Sequence, residues 1–451
     1  MRGAASAVRS AESPSGAAFP GAFDGIDLSG RGAVVAAVSG GGDSLALLFL
    51  LRDHLTRYQP DVGLVAVTVD HGIRPEAAME AAAVAALCGR FGIRHRTMRW
   101  TDAKPVSGLQ QAAREARYAL LARAADEAGA GLVLTGHTLD DQLETVAMRK
   151  RRGDGRGLAG IAPATLYDGR LWVARPLLEA RREGLRNYLR GIGIEWHEDP
   201  SNKDPKYERA RTRLTLAGEA SIAEDGAHAG LIAEMRRAAA ERVSLGERAA
   251  ALIRRHARRV STGLYRLGRE FAVERDREAA TYALRILLAV VGGRAQLPDA
   301  SRGSALLKWM SEAGARATLS RSVVEARADG LYLYREMRGL PLPGGVIPGQ
   351  VWDGRHRIGP EAREAGEIAP FGREAAAALA APDCEEPAAL ARAALAAEPA
   401  LWRGVECLGH APAVPLAAPW ARFLPWFDLA PAQAATELVG GRPLPASPLA
   451  R

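Results

Sequence analysis

VVAAVSGGGDSLALLFLLRDHL, residues Val34 to Leu55, is the stretch that decides the fold. Val34 to Val38 is a short β-branched apolar run, and from Asp43 to Leu55 the apolar residues recur with the helical period, so Ser39, Gly40, Gly41 and Gly42 form a tight strand-to-helix turn. Three glycines let backbone approach an anion without a Cβ clash and turn amide N–H groups inward, while the helix N-terminus adds positive potential. No Gly-Lys-Ser/Thr follows, so this is a phosphate cradle without the Walker lysine. Asp43 and Ser44 stand there instead, and Asp43 suits Mg²⁺ better than bare phosphate. The plainer alternative is an ordinary Gly-rich turn whose Asp43 or Ser44 serves only the helix end.

Outward from the turn, Leu64 to Val69 reads as a second strand running into Asp70-His71-Gly72, with a helix from Pro75 to Arg90. Ile93 to Trp100 alternates as a third strand, Leu109 to Ala128 is helical, and Gly131 to His137 delivers a fourth strand into another helix. Leu171 to Leu177 adds a fifth strand before a helix from Glu179 to Arg190. Strands alternating with helices specify an α/β fold with a doubly wound parallel sheet, whose ligands bind beyond the carboxyl ends of the strands. Every motif lies at such an end.

Near Ala217 the pattern changes to long Ala- and Arg-rich helices, Leu231 to Arg259 and Arg277 to Val291. Ala317 to Arg335 then reads as a hairpin around Arg327-Ala328-Asp329-Gly330. Four segments are expected: a flexible leader 1–30, a catalytic domain 31–216, a mostly helical domain with a hairpin 217–340, and a divergent Ala/Pro-rich region 341–451 with frayed final residues. Net charge is +8, and between Arg149 and Arg213 there are 16 Lys/Arg against 9 Asp/Glu, which concentrates charge suited to a phosphate backbone in one stretch. Three dispersed cysteines with no C-x-x-C pair exclude a disulfide framework, a zinc ribbon and an iron–sulfur cluster, and indicate a reducing, cytoplasmic setting. No apolar run is long enough to span a membrane.

The chemistry concentrates in TGHTLDDQLETVAMRK, Thr135 to Lys150. With a helix starting after Thr138, His137, Asp141 and Glu144 form one stripe facing the cradle. Such a set can hold Mg²⁺, fix an ammonium group or accept a proton from an amine. Thr138 with Asp141 also fits a capping box, which would explain one of the three, and Asp140 suits the helix dipole alone. Arg114 and Arg117 lie on one helix face, whose ordinary use is a solvated surface and whose forks would suit phosphate or carboxylate. Asp70, His71 and Arg74 follow the second strand, where a base or ribose would lie; a turn-stabilising Asp70 is the duller alternative. RRGDGRGLAGI, with Arg152 and Arg156, is a basic loop able to track a polyanion. Glu195 to Arg213 combines Asp-Pro and Ser-Asn turn chemistry with Arg209, Arg211 and Arg213.

SGGGDSLALL, VDHGIRPEA, REARY, GHTLDDQLET, RGDGRGLAGI, RPLL and WHEDPSN, in this order and spacing, resemble the tRNA(Ile)-lysidine synthetases of the PP-loop ATP pyrophosphatase superfamily. The resemblance is strong over residues 33–215 and looser to about 336. It implies an enzyme that uses ATP and Mg²⁺ to adenylate the wobble cytidine of a tRNA(Ile) with a CAU anticodon. L-lysine then displaces AMP through its ε-amine. Carried over, Ser39, Gly40, Gly41, Gly42, Asp43 and Ser44 would hold the α/β-phosphates, with Asp43 as metal ligand, and Gly136, Asp70 and His71 fall on the nucleotide side. His137, Asp141 and Glu144 match positions associated with the reacting cytidine and lysine. Arg114 or Arg117, and one of Arg209 and Arg213, would neutralise charge during transfer, with Arg74, Arg152 and Arg156 on the tRNA substrate. The resemblance leaves a homodimer open. Ala210 departs from the Asn that usually follows the arginine matching Arg209.

A thiolase of the same superfamily would be expected to carry C-x-x-C pairs, and a glutamine-dependent amidotransferase a nucleophilic Cys or glutaminase domain. A silent tRNA-binding relative would keep the basic stretch and lose Asp43, Asp141 and Glu144, which this chain retains.

Overall fold

A computed structural model of the chain describes residues 19, 21–74, 76–153, 155–198, 204, 206–222, 228–310, 316–364, 366–379 and 387–449. The expected leader is therefore described only from 19 onward, and Asp199 to Asn202 of the WHEDPSN motif, with Lys203 after it, lie outside the described residues, as does Cys384. The chain divides into two compact units, Met1–Leu166 with Arg170–Ala238 and Ala446–Arg451, and Tyr167–Gly169 with Ala239–Pro445.

The first unit alternates strand and helix: β1 (Ala33–Ala37), α1 (Gly42–Tyr58), β2 (Gly63–Asp70), α2 (Glu76–Arg90), β3 (Arg94–Arg99), α3 (Leu109–Glu127), β4 (Leu132–Thr135), α4 (Leu139–Arg151), β5 (Ala164–Tyr167), β6 (Leu171–Ala174), α5 (Arg182–Gly191) and α6 (Glu208–Ile222). These strands follow the order β5-β6-β4-β1-β2-β3. β1 pairs in parallel with β2 and β4, β2 with β3, and β4 with β6. Val34, Val35 and Ala36 and Leu132 to Leu134 are wholly buried, as central parallel strands covered on both faces must be. Leu47 and Leu48 of α1 seal one face of this core, where truncation to Ala costs about 2–5 kcal/mol.

Three expectations change here. The helix expected from Glu179 starts at Arg182, because Asp140 Oδ2 accepts the Arg182 backbone N–H at 2.7 Å and so caps α5 rather than only its own helix. A strand not anticipated, β5, precedes β6. Its signal was Asp168-Gly169, where both residues take positive φ (53° and 69°), the conformation of a tight reversal. The last described residues are docked, not frayed: Asp27 N–H donates to the Pro448 carbonyl at 2.7 Å and Leu449 bridges Ile26.

Helix α7 (Ala229–His256) precedes a five-stranded antiparallel sheet in the second unit, β7 (Ala257–Ser261), β8 (Leu264–Leu267), β9 (Arg316–Leu319), β10 (Ser322–Arg327) and β11 (Gly330–Arg335), ordered β7-β8-β11-β10-β9, with α8 (Arg277–Val291) and α9 (Ala300–Trp309). The expected hairpin is thus β10–β11 within a larger sheet, and Arg327 pairs with Gly330, so Ala328-Asp329 rather than Asp329-Gly330 is its two-residue turn. Beyond Pro341 the chain forms further short strands with small buried clusters, Trp352, Ile358, Ala362 and Ile368 in one and Phe371, Ala376, Leu395 and Ala400 in another.

Candidate active site

The site lies at the carboxyl edge of the first unit's sheet, where the turns after β1, β4 and β6 open into α1, α4 and α5. In the cradle, Ser44 Oγ accepts the Ser39 backbone N–H at 3.1 Å and donates to the Gly41 carbonyl at 2.9 Å, bracing the loop from inside. Gly40 takes φ +84°, which favours glycine. His197 N–H donates to the Gly40 carbonyl at 3.0 Å, and Trp196 covers Gly42 so closely that a Cβ there would lie 3.3 Å from its ring. Gly136 is needed for a second approach: a Cβ would meet the Asp43 carbonyl oxygen at 2.6 Å. The turn after β4 therefore touches the cradle backbone, which joins the two sequence motifs physically.

Helix α4 begins as expected, with Thr138 as N-cap and Asp141 completing a capping box. Asp141 divides its two oxygens between the cap and a pair of arginines. Its Oδ2 accepts from the Thr138 N–H at 2.8 Å and the Thr138 hydroxyl at 3.0 Å, while Oδ1 accepts from Arg182 at 2.8 Å and Arg209 at 2.9 Å. Glu144, one turn on and almost wholly buried, accepts from Arg209 Nε at 2.6 Å and Arg213 Nε at 2.7 Å. Arg209 and Arg213 share a face of α6 because they are four residues apart. That helix is held to α4 by Arg151 to Thr212 and Arg152 to Glu208, so Arg152 serves α6 in this structure. Ala210 packs into the buried side of α6.

The residue that sequence reasoning missed is Arg182. Its Nε donates to Asp43 Oδ2 at 3.0 Å, Nη2 to Asp141 Oδ1 at 2.8 Å, and Nη1 to Glu144 Oε1 at 3.4 Å. One guanidinium thus contacts the cradle carboxylate and both carboxylates of α4. Helix α5 presents it there by packing on α1, where Tyr188 OH donates to Asp53 at 3.3 Å. The available signal was topological: Arg182 opens the helix after β6 as Asp43 opens the helix after β1 and Asp141 the helix after β4.

Protonation follows from these contacts. Burial raises the Asp43 carboxyl above its ordinary value, and Arg182 only partly offsets it. Burial would also raise Glu144, but hydrogen bonds from Arg213 and Arg209 hold it below the usual range. His137, half-buried with Nδ1 3.0 Å from the Thr135 hydroxyl, is pushed well below 6.5 by burial and then by the cations of Arg175, Arg117, Arg209 and Arg114, so it is neutral at physiological pH. Arg175, of the RPLL motif, is buried and donates to Ala162 O at 2.8 Å, Thr165 Oγ1 at 3.0 Å and Tyr118 OH at 3.2 Å.

Other expected residues lie around this centre. Asp70 is buried and accepts the Gly72 N–H at 2.8 Å, a turn-forming use. His71 Nδ1 is buried without a hydrogen-bond partner among the described residues, and its ring meets Trp100 edge-on. Arg74 pairs with Glu80 at 3.5 Å, Arg114 reaches Tyr118 OH at 3.3 Å, and Arg117 and Arg156 are exposed. Among the described residues no group of three or more His, Cys, Asp or Glu forms a ready metal cage. A lone Asp43 beside a phosphate cradle fits Mg²⁺ that arrives with phosphates, since that ion commonly takes one or two carboxylates plus substrate oxygens.

Residues 23–220 match the PP-loop domain family. A tRNA(Ile)-lysidine synthase of Mesorhizobium japonicum is 52% identical over 443 residues, 95% of this chain and 96% of that protein. The chain belongs to the tRNA(Ile)-lysidine synthase family. Another tRNA(Ile)-lysidine synthase, from Brucella melitensis, is 40% identical over 369 residues, covering 78% of this chain and 80% of its own. Among solved structures, the U34-tRNA thiolase NcsA of Methanococcus maripaludis is 19% identical with a TM-score of 0.40, covering 48% of this chain and 76% of that one. No described helix is long and apolar enough to cross a membrane.

Proposed function

We propose that this enzyme, acting in the cytoplasm, ligates L-lysine to the wobble cytidine of tRNA(Ile) with a CAU anticodon, forming lysidine, AMP and diphosphate. In the first step the cytidine's carbonyl oxygen attacks the α-phosphate of ATP, and diphosphate leaves. In the second the lysine ε-amine attacks the activated ring carbon, the C–O bond to AMP breaks, and the amine's protons pass to the site or solvent. The observation that carries this reading is the junction of cradle and carboxylates: Asp43, Asp141 and Glu144 all lie within hydrogen-bond reach of one guanidinium. A phosphate site and an ammonium site therefore share one edge, as adenylation followed by amine attack requires.

Residues Ser39 to Ser44 hold the α/β-phosphates through loop N–H groups and the α1 N-terminus, with Asp43 as the protein's ligand to Mg²⁺, which when bound neutralises phosphate charge. Gly136, Asp70 and His71 border the nucleotide. Asp141 and Glu144 receive the ε-ammonium. Because burial raises Glu144 and only the arginines lower it, a Glu144 that they release becomes a stronger base for the amine proton. His137, kept neutral, offers its imidazole to the cytidine. Arg209 and Arg213 neutralise charge on the departing AMP, Arg114, Arg117, Arg74 and Arg156 contact the tRNA, and residues 217–340 of the proposed domain division grip its body.

The test supplies Mg²⁺, ATP, CAU-anticodon tRNA and amino acids one at a time, and follows AMP release and mass gain of the tRNA. Both are expected with lysine alone, and a well-folded enzyme that incorporates no lysine would sink the reading.

A further inference from the structure

Arg182 does more than close the site. Each of the three carboxylates has a guanidinium partner in this structure: Arg182 spans Asp43, Asp141 and Glu144, Arg209 spans Asp141 and Glu144, and Arg213 pairs with Glu144. Three negative charges thus face three positive ones. Among the described residues Arg182 alone reaches all three acids. Its backbone is fixed, the N–H bonded to Asp140 and the residue set in the first turn of α5, so only the side chain is available to move.

A substrate ammonium entering this balanced cluster would be a fourth cation on three acids, with the Asp141 oxygen that faces the site already taken by two arginines. Coulomb repulsion from the three guanidinium groups opposes it, and Asp141 Oδ1 and Glu144 Oε1 each already accept from two arginines. Mg·ATP changes the balance because it brings net negative charge to the cradle, within reach of the same guanidinium, and planar arginine forks bind phosphate as readily as carboxylate. Once Arg182 turns to phosphate, Asp141 Oδ1 and Glu144 Oε1 lose one donor each, and the vacated position is that of a cation.

We infer that Arg182 is an exchangeable counter-cation that occupies the amine substrate's carboxylates until nucleotide phosphate draws it away, so that tight binding of the amine depends on prior binding of nucleotide. This rests on the proposed lysine ligation. It makes Arg182 a positioning residue that imposes an order on the two halves of the reaction. A merely structural Arg182, tying α5 to α1 and α4, would affect folding without coupling one ligand to the other.

Calorimetric titration of lysine into the full chain, with a CAU-anticodon stem-loop present throughout and a non-hydrolysable ATP analogue with Mg²⁺ either present or omitted, tests the inference. For the native protein, nucleotide is expected to tighten lysine about tenfold or more, and lysine to tighten nucleotide by the same factor. In Arg182→Gln, lysine is expected to bind without nucleotide nearly as well as with it, the ratio falling below about threefold. Arg182→Lys retains one charge but cannot span three acids, and is expected to give an intermediate ratio. If the glutamine variant does not fold, the lysine variant decides alone. A ratio unchanged in the folded variants, or native protein that binds lysine equally with and without nucleotide, overturns the role of Arg182 and leaves the proposed reaction standing. Lysine that binds in no arm while nucleotide binds normally overturns the amine substrate, and the inference with it.

Discussion

Two arginine–carboxylate clusters, one in each unit, show how the same chemistry serves opposite ends. In the second unit Arg335 forks onto Asp353 at 3.0 and 3.1 Å, Arg355 links Asp353 at 2.7 Å to Glu398, and His356 meets Glu398 at 3.1 Å. The Arg335 and Asp353 side chains are 0% and 1% exposed, and remaining donors of Arg335 go to the carbonyls of Arg338 and Gly339. The Arg335–Asp353 pair itself is sealed from solvent. In the first unit Asp43 is 24% and Arg209 44% exposed, and a glycine cradle stands beside them. Charges that are locked hold a fold; charges that are reachable can be traded for a ligand.

Protonation separates the clusters in the same way. Glu398 lies far below the usual carboxylate range because Arg355 and His356 overcome its burial, whereas Asp43 lies above it because burial overcomes Arg182. Glu398 is thus stabilised as an anion, as Glu144 is in the site, whereas Asp43 carries a burial cost that Arg182 offsets only in part and that a bound cation would relieve.

The largest expected effect is on chemistry. Asp43→Asn should lower adenylation on the order of a thousandfold, measured as diphosphate release, while tRNA binding in a filter assay stays near native. A large loss of binding instead would make Asp43 structural. The same variant should raise or leave unchanged the unfolding midpoint. Asp353→Asn should do the reverse, removing about 3–5 kcal/mol of stability in denaturant unfolding, because it leaves buried Arg335 without its partner; native stability in that variant would erase the contrast between the clusters.

Gly136→Ala comes next. Its Cβ would sit 2.6 Å from the Asp43 carbonyl, so backbone must shift between the two halves of the site, and kcat should fall about a hundredfold in steady-state assays. An unaffected kcat would show that the halves need no close registry.

The smallest effects concern pH. His137 has a folded pKa below its unfolded value of 6.5, so the unfolded chain binds more protons between them, and stability falls as pH drops through 6.5. His137→Asn should flatten that slope in urea unfolding, and an unchanged slope would assign it to other histidines. Glu398 has the same sign in a more acidic window: its contribution is present above 4.5 and is lost as pH falls toward its depressed folded value. Glu398→Gln should therefore remove stability at neutral pH and weaken the acid dependence.

The contrast between the units also explains what could be read from sequence. Val34 to Leu55 and Thr135 to Lys150 are local patterns: a β-branched run, a glycine turn and a helical period each announce themselves within about twenty residues. Parallel order followed from alternation, and Thr138 with Asp141 gave the start of α4 to the residue. Arg182 was illegible because its meaning is entirely long-range, its acid partners lying 38 to 139 residues away in the chain. Beyond Pro341 the failure has the same cause. Short strands and small alanine-lined clusters carry little periodicity, and the pairs that secure them, Arg335 to Asp353 and Arg355 to Glu398, join residues 18 and 43 positions apart with no helical or strand period to connect them.

The claim that one half of the site activates and the other delivers an amine is tested most directly by trapping the intermediate. Enzyme, Mg·ATP and CAU-anticodon tRNA are mixed without lysine, and nuclease digestion with mass spectrometry measures adenylated cytidine. The native protein and Glu144→Gln are predicted to accumulate it, with lysine chasing it rapidly to lysidine only in the native protein, and Asp43→Asn to form none. Absence of the intermediate in the native protein, or loss of its formation in Glu144→Gln as complete as in Asp43→Asn, would contradict a site divided into these two halves.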